Sequence, residues 1–419
     1  MIKKLFFLFS FFLIIFACSE PNNTNNDTKI EPKIDPFTEV TTITWDFEYI
    51  GSFNVPNDSG FGYSATGVAF NPSGDNGKGS IFIVGHDWYQ KIAEITIPVP
   101  QINSDVTKLP SAQFLQPFTD EIFKRSKYIR QDGSILDENI KIGGLLVYDN
   151  KLYGNSYAFY SGANEAKRSH FRTGLNLSSI SIAADFKGMF TVGNMNPGMT
   201  GGYMTIIPES KREYFGGFFA FTGQMGLSII SRSSYGPSLH TLSLSDFDNT
   251  VDSIVSSMPL IYYTYDYQTL GEWGNVTIPN PVFNMMSRIY GAVYPDNSQY
   301  IYLIGRTGIG VPYYGQGTDN PNDAGYDPVD KSKGCHAWPY VNYIWVYDEV
   351  DLKAVFNGTK KPWEIKPSSH GLIKLPYYDK YKTCDLCGVS YDAQNKKLYV
   401  VSRNMNVSKP LVHVFEWKK

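Results

Sequence analysis

The feature that most constrains the fold of this chain is an internal repeat of short apolar runs. The template lies near the end of the chain, where run 388–391 is followed by a polar turn at 393–397 and by runs 398–403 and 411–415. Apolar and polar residues alternate within these runs, which is typical of antiparallel strands joined by turns. Four similar units precede it, and each begins with a glycine followed by an apolar run: Gly67, Gly144, Gly202 and Gly291.

The repeat has a regular period. The residue that ends the second run of each unit serves as a marker, and the five markers are His86, Ser156, Arg232, Arg306 and Arg403. Successive markers are 70, 76, 74 and 97 residues apart, and the last spacing is long because 307–339 is an insertion. Five such units cover nearly all of the chain after its first residues. The pattern predicts an all-β fold, a five-bladed β-propeller, in which radial repetition leaves no long sheet edge exposed.

Two alternatives remain open from the pattern alone. The repeats are compatible with an elongated β-solenoid or two β-sandwiches. Blocks 100–140 and 246–285 are long enough to hold an additional sheet, so six or seven blades are also compatible. The run 43–50 is a strand with no preceding blade, whereas the last unit ends after its third strand. We therefore expect the N-terminal strand to complete the final blade and close the ring.

The first 36 residues predict export and anchoring. Two lysines precede the apolar run 5–17, which is too short to span a bilayer, and this arrangement is typical of a signal peptide. The run ends at Ala17-Cys18, which is similar to a lipobox, so residues 1–18 are expected to direct lipidation of Cys18. Residues 19–36 are rich in Asn, Thr and Pro and predict a flexible tether. A single propeller at 37–419 would then be anchored through the lipid to the bacterial cell envelope, at the outer membrane.

Composition excludes some classes of partner. Charged residues make up 18% of the chain, and 37 Lys and Arg against 40 Asp and Glu give a formal charge of -3. Without a basic block, the chain does not have the electrostatic footprint of a nucleic-acid-binding protein. The 30 Tyr, 27 Phe and 37 Gly favour strands and turns.

The best-preserved motif is Tyr391-Asp392-Ala393 followed by Leu398-Tyr399-Val400. It resembles the blade repeats of secreted and lipid-anchored bacterial β-propellers. The resemblance covers about 20 residues of each unit, and it implies a fold but no chemistry.

The markers indicate where a functional site would lie. Equivalent positions emerge on the same face of a propeller, and this chain places His86 and three arginines there. Arg pairs with carboxylate or sulfate through two parallel hydrogen bonds, and aromatic rings pack on the faces of sugars. An acidic polysaccharide is therefore the expected ligand, with these binding residues: Arg306, Arg403, Trp88, Tyr89, Tyr157, Tyr160, Arg172, Tyr313 and Tyr314. The alternative for each Arg is a bond to carbonyls of the neighbouring blade.

If the face is catalytic, the residue types fit β-elimination on a uronic acid. Arg232 or Arg306 would neutralise the carboxylate. The candidates for the base and the acid are His86, His170, Tyr235 and Tyr157. Hydrolysis of a glycosidic bond is the competing reaction and needs two carboxylates, for which the candidates are Asp87, Asp266 and Glu272. A non-catalytic platform that docks a protein or glycan is the alternative function.

Two further groups of residues suggest metal or disulfide sites. Asp319, Asp323 and Asp327 lie in the insertion and offer the oxygen ligands that calcium prefers, but their spacing matches no EF-hand. The other group is Cys335-His336 with Cys384 and Cys387, which is compatible with a disulfide, with structural zinc or with buried thiols.

Overall fold

The computed structural model describes residues 45–64, 66–136, 139–226, 232–249, 253–271, 282–377, 386–406 and 408–419. The signal peptide, Cys18 and the tether, all predicted from the sequence, lie outside these residues. The described chain forms five antiparallel sheets of four strands, one of which gains a fifth, parallel strand, and a separate two-stranded hairpin. The chain is a five-bladed β-propeller, as the repeat predicts.

Each blade takes its four main strands in chain order, apart from the last, whose outermost strand comes from the start of the described chain. Blade 1 contains β2 (Val68–Asn71), β3 (Ser80–Val84), β4 (Ile92–Thr96) and β5 (Phe114–Thr119). Blade 2 contains β6 (Ile140–Tyr148), β7 (Lys151–Ala158), β8 (His170–Gly174) and β9 (Lys187–Val192), and β13 (Ile254–Val255) joins its outer edge. Blade 3 contains β10 (Tyr203–Ile206), β11 (Ala220–Gly223), β12 (Leu239–Leu242) and β14 (Pro259–Ile261).

The last two blades follow the same order. Blade 4 contains β15 (Arg288–Val293), β16 (Tyr300–Gly308), β19 (Tyr340–Asp348) and β20 (Ser369–Leu372). Blade 5 contains β21 (Leu386–Asp392), β22 (Lys397–Asn406), β23 (Lys409–Trp417) and β1 (Phe47–Asn54). The insertion forms the hairpin of β17 (Tyr313–Gln316) and β18 (Lys333–His336).

The helices are short and lie in the connections. They are α1 (Gly74–Gly77), α2 (Glu121–Arg125), α3 (Ser179–Asp185), α4 (Pro197–Thr200), α5 (Glu209–Arg212), α6 (Asp246–Asn249) and α7 (Glu349–Phe356). None of the helices in the described part of the chain is both long and apolar enough to cross a membrane.

The ring is closed at its centre and at its edge. The first strands of neighbouring blades contact one another in the order β2, β6, β10, β15, β21 and back to β2. At the outer edge of blade 5, β1 pairs antiparallel with β23, so that Phe47 lies opposite Trp417. The N-terminal strand therefore completes the final blade, which confirms the expected closure.

Five apolar clusters hold the blades together, and each fills one interface between neighbours. Phe82 and Ile142 belong to the cluster between blades 1 and 2, for example, and Val68 and Tyr399 to the one between blades 5 and 1. A blade is covered by a neighbour on both faces, so its strands carry apolar residues at nearly every position. Strand β3, with five buried residues in succession, illustrates this pattern.

The structure corrects the predicted second strand of blade 3. We expected it to end at Arg232, but the second strand is β11, and Gly223 rather than Arg232 is its last residue. Gly216 and Gly217 adopt positive φ values of 67° and 83° and turn the chain directly into this apolar run. Blocks 100–140 and 246–285 supply the fourth strands β5 and β14, and in the described residues they add no further blade.

Because the strands alternate in direction, two sets of connections emerge on one side of the ring. These are the connections between second and third strands, which include 85–91, 159–169, 224–238 and 309–339, and those between blades, such as 55–67. We call this side the upper face and the opposite side the lower face.

Candidate functional site

The five marker residues all lie on the upper side of the ring. His86 follows β3 and forms a bridge with Ser64, whereas Arg306 and Arg403 lie within the second strands of blades 4 and 5. Arg232 lies in the connection 224–238, well beyond the end of its strand. Ser156 is fully buried in β7. Among the five markers, His86 is the one whose ring lies close to several exposed aromatic side chains.

Three exposed aromatic side chains surround His86. The ring centroids of Tyr63, Trp88 and Tyr89 lie 5.7, 5.7 and 4.9 Å from the centroid of His86. Tyr63 is 69% exposed, Trp88 78% and Tyr89 60%. Most large aromatic side chains are at least partly buried, so three exposed ones in contact with one ring mark an interaction surface. We call these four residues the His86 cluster.

The backbone under the His86 cluster is held firmly. The Nζ of Lys141 lies 2.6 Å from a carboxylate oxygen of Asp87, which joins the connection to β6 of the next blade. Gln90 is buried, and its side-chain oxygen accepts a hydrogen bond of 2.7 Å from the main-chain N–H of Ile142. Tyr63 adopts a φ of 47°, a conformation that costs a non-glycine residue energy and is often found at functional sites. The aromatic rings are therefore presented on a preorganised loop pair.

The hydrogen bond made by His86 defines its tautomer. The main-chain N–H of Trp88 donates to Nδ1 of His86 at 3.1 Å. A ring nitrogen that accepts a hydrogen bond carries no proton, so the neutral imidazole holds its proton on Nε2. His86 is thus arranged to donate a hydrogen bond to a ligand through Nε2.

Arginines gather near the centre of the upper face. Arg288 begins β15 and lies directly opposite Arg306 in the register of blade 4. Burial and the neighbouring charge of Arg306 lower the pKa of Arg288. Burial also raises the pKa of Tyr157, which is influenced by Asp87, Arg288 and Arg403 as well. Tyr157 is therefore neutral, and it lies among charged groups from three other blades.

A small cleft opens beside Arg288. Besides Arg288 it is lined by Tyr157, Met225 and Gly226. The other lining residues, four of which are glycine or alanine, are Ala158, Phe159, Pro197, Gly198, Gly201 and Gly202. The hydroxyl of Tyr157 contacts the sulfur of Met225 at 3.4 Å. A Cβ atom at Gly226 would lie only 2.4 Å from Cδ of Arg288, so glycine at this position makes room for the arginine.

Arg306 is supported from the side of the insertion. Its guanidinium lies 5.3 Å from the ring centroid of Tyr340, which is a cation–π contact. The hydroxyl of Tyr340 donates in turn to the carboxylate of Asp327. Asp327 is fully buried and also bonds Nδ1 of His336 at 2.9 Å. The insertion therefore braces the arginine through a buried polar network.

That network does not fit the calcium prediction. Asp327 directs its carboxylate at protein donors, Asp319 pairs with Nζ of Lys331 at 2.5 Å, and Asp323 accepts a hydrogen bond from Asn320 at 2.9 Å. No group of three His, Cys, Asp or Glu side chains suited to a metal ion occurs among the described residues. The spacing of the aspartates reflects turn formation instead.

The catalytic candidates come from different blades, and two of them, His170 and Tyr235, are buried. His170 is fully buried and bonds Ser169 and Thr222 at 2.8 and 2.9 Å. Burial lowers the pKa of His170 to about 3, so this residue is neutral and inaccessible to a polymer. His170 is a structural residue, contrary to the expectation from the sequence.

Tyr235 and Arg232 also differ from the expected arrangement. Tyr235 is 8% exposed and belongs to the apolar cluster between blades 3 and 4. Arg232 is half-buried, and its Nη2 donates to the carbonyl oxygen of Gly162 at 3.1 Å. This bond to the neighbouring blade is the alternative role considered for each arginine.

The remaining predicted ligand residues divide between the two faces. Tyr160 and Tyr314 are exposed in upper-face connections, and Tyr313 is half-buried beside the latter. Arg172 is bound to Asp248 in α6, which lies in a lower-face connection, and this ion pair removes it from the candidate site.

The carboxylates proposed for hydrolysis are also separated. Asp87 lies in blade 1 and is paired with Lys141, whereas Asp266 is exposed in the connection that follows blade 3. Glu272 lies outside the described residues. The two described candidates therefore come from different blades, and one of them is already engaged by a lysine.

Two of the cysteines belong to different apolar clusters. Cys335 packs on the cluster that contains Met285 and Tyr340, and Cys387 is buried between blades 5 and 1. Cys335 carries a thiol, so these two residues do not form a disulfide with each other. Cys384 lies outside the described residues, and no zinc-type cluster occurs within them.

Three residues of the candidate site were missed by sequence reasoning: Tyr63, Lys141 and Arg288. Tyr63 lies in the connection that precedes β2, whereas Lys141 and Arg288 lie at the starts of the first strands β6 and β15. The repeat markers, in contrast, are positions of the predicted second strands. First strands begin and second strands end on the upper face. The residues at the starts of first strands were therefore equally good candidates for a site on this face.

No protein-family model and no curated protein match this chain. Solved structures with a similar fold include the GH43 endo-arabinanase from Bacillus licheniformis, at 10% identity and a TM-score of 0.40, covering 88% of this chain and 98% of that one. A structure from the GH130 family of mannoside phosphorylases, described with glycoside hydrolases that target β-1,2 mannosidic linkages in Candida mannan, gives 10% identity, a TM-score of 0.42 and coverage of 90% and 97%.

A member of the DUF4221 family from Bacteroides vulgatus gives 10% identity and a TM-score of 0.33, covering 89% of this chain and 98% of that one. Similarities of this size do not define what the present protein binds.

Proposed function

We propose that the upper face binds an acidic polysaccharide. The observation that carries this proposal is the His86 cluster, in which three exposed aromatic rings surround one imidazole. An aromatic ring buries the apolar C–H face of a sugar, while the polar edge of the sugar remains available for hydrogen bonds. The Nε2–H of His86 supplies a donor at the centre of this group.

Charge supports an acidic rather than a neutral ligand. Arg288 and Arg306 are neighbours across the strands of blade 4, and Arg403 lies near Tyr157. Asp87, the carboxylate nearest to the His86 cluster, is already paired with Lys141 at 2.6 Å. An anionic group is the partner that such a set of guanidinium groups favours.

Binding without cleavage fits the geometry better than β-elimination. His170 and Tyr235 are buried, and the Nδ1 of His86 is occupied by the N–H of Trp88. Burial raises the pKa of Tyr157, so this residue is also poorly suited to remove a proton from the sugar. The proposal is accordingly a saccharide-binding platform.

A binding assay with matched variants tests the proposal. Affinity electrophoresis of the protein through gels that contain alginate, polygalacturonate or a neutral glucan should show retardation by an acidic polymer. Replacing Trp88 and Tyr63 together by Ala should weaken binding about 10-fold or more, because each removes a central exposed aromatic contact. Tyr300→Ala is the control, since Tyr300 begins β16 on the lower face and is 37% exposed.

Two results would decide against the proposal or extend it. Equal mobility in all gels would overturn saccharide binding at this face. A rise in ultraviolet absorbance on incubation with a uronic acid polymer would reveal an unsaturated product and make the protein a lyase rather than a platform.

We also propose that a lipid on Cys18 anchors the protein to the outer membrane. The support comes from the sequence 15–18, which precedes a tether of 18 residues at 19–36. Cys18→Ser should abolish incorporation of labelled palmitate and release the protein from the membrane fraction. Retention of both label and membrane association in this variant would contradict the anchor.

A further inference from the structure

The cleft beside Arg288 has the composition of a site for an anion. Arg288 is half-buried, and its Nη1 donates to the carbonyl oxygens of Met285 and Ser287 at 2.9 and 2.8 Å. These two bonds fix the plane of the guanidinium. Among the described residues, Nε and Nη2 of Arg288 donate to no other group, so both keep their capacity to bind a ligand.

None of the groups with the largest effects on the pKa of Arg288 is a carboxylate. These groups are Arg306, Tyr290, Cys335 and Tyr157, and the largest effect among them is that of Arg306, which lies opposite Arg288 in blade 4. Two adjacent guanidinium groups repel each other, and burial increases this cost. An anion in the cleft would relieve the repulsion and replace the lost hydration.

The residues that line the rest of the cleft suit a sugar ring that carries an anionic group. Burial raises the pKa of Tyr157, so its hydroxyl keeps its proton. The present acceptor of that proton is the sulfur of Met225, a weak acceptor that an oxygen of the ligand can replace. Gly201, Gly202 and Gly226 expose backbone rather than side chains and allow a close approach. The cleft is small, which favours one charged substituent over an extended polymer segment.

We propose that Arg288, together with Tyr157, binds the carboxylate or sulfate group of the saccharide and thereby selects acidic polymers over neutral ones. This inference rests on the proposed function, which is the binding of a polysaccharide by the upper face. It assigns charge selection to a residue outside the His86 cluster, which supplies the aromatic contacts. The two roles can therefore be separated by mutation.

The test compares Arg288→Gln and Arg288→Lys with the wild-type full-length protein by isothermal titration calorimetry. The ligands are polygalacturonate, its carboxyl-reduced form and a sulfated galactan. One or both of the charged polymers should bind the wild type. Arg288→Gln should lower the affinity for such a polymer about 10- to 100-fold, since a charge-assisted hydrogen bond is lost. The affinity for the carboxyl-reduced polymer should change less than twofold.

Controls separate local from general effects. Lys78→Gln removes one positive charge from the lower face, where Lys78 is exposed, and should leave all affinities unchanged. Arg288→Lys should retain folding and charge but lose part of the affinity, because an ammonium lacks the two-pronged geometry of guanidinium. If Arg288→Gln does not fold, Gly226→Ala tests the same site, since its Cβ would displace the arginine side chain.

The outcomes are distinguishable. Equal losses for charged and carboxyl-reduced polymers, or no loss at all, would overturn the role of Arg288 while leaving polymer binding intact. If no polymer binds the wild type, the proposed function fails, and titration with galacturonate and inorganic sulfate then decides the inference. Saturable binding of either anion that is lost in Arg288→Gln would support it, and absence of binding would overturn it. The preference between polygalacturonate and the sulfated galactan distinguishes carboxylate from sulfate.

Discussion

At the scale of single residues, histidine serves two opposite purposes in this protein. His86 is half-exposed on the upper face, with its tautomer set by a main-chain donor. His170, His240 and His413 are fully buried in third strands, and burial lowers the pKa of each to about 3. Residue type alone therefore predicts no role for a histidine in this chain.

The buried histidines make stability depend on pH. An unfolded histidine has a pKa of about 6.5, so the unfolded state binds more protons than the folded state as the pH falls below that value. The free energy of unfolding is highest above pH ~6.5 and should fall by up to about 1.4 kcal/mol per pH unit for each buried histidine as the pH approaches 3.

His240 gives the sharpest test of this dependence. Neither of its ring nitrogens has a hydrogen-bond partner among the described residues, so His240→Leu removes a titrating group without leaving a donor or acceptor unpaired. Urea denaturation between pH 7.5 and 4.5 should show a shallower decline of stability for the variant, by about one proton per molecule. Parallel curves for variant and wild type would show that His240 does not titrate on unfolding.

At the scale of elements, the ring depends on a strand borrowed from the other end of the chain. β1 pairs with β23 along its whole length and places Phe53, which is fully buried, in the cluster between blades 5 and 1. This closure joins residues more than 350 positions apart, since Asn54 lies opposite Leu411. The closing blade therefore contributes to the stability of both of its neighbours.

Substitutions within β1 should reveal that contribution. Phe53→Ala removes a buried aromatic ring and is expected to lower the free energy of unfolding by about 3–5 kcal/mol. Glu48→Ala, at an exposed position of the same strand, should change it by less than about 1 kcal/mol, because a surface ion pair contributes little. Similar denaturation midpoints for Phe53→Ala and the wild type would show that β1 is dispensable for closure.

At the scale of the whole molecule, the repeat was sufficient to predict the architecture but not every strand. The period gave five blades, and the unpaired run at 43–50 gave the closure. The second strand of blade 3 was misassigned because Leu227-Ser-Ile-Ile resembles the other second strands, whereas the turn at Gly216 and Gly217 starts pairing earlier. The position of this turn depends on the left-handed backbone conformation of the two glycines. The periodicity of apolar residues does not report that conformation.

The candidate site was predictable only in part, for a related reason. Exposure of Trp88 and Tyr89 next to His86 follows from their place in a connection, but burial of His170 follows from contacts with Thr222 on the neighbouring blade. Contacts between blades join residues about 50 or more positions apart, as this pair does, with a separation of 52. Spacing along one strand carries no information on such contacts.

Saccharide binding by this protein depends on the His86 cluster, and Trp88 offers a direct probe of it. The fluorescence of an indole ring depends on its immediate surroundings, and Trp88 is 78% exposed at the centre of the proposed surface. Titration with an acidic polysaccharide, followed by tryptophan fluorescence, should give a saturable change in emission for the wild type. The change should disappear in Trp88→Phe, which keeps an aromatic ring and hence most of the binding. An emission that does not change on titration, or a change of equal size in Trp88→Phe, would contradict the account.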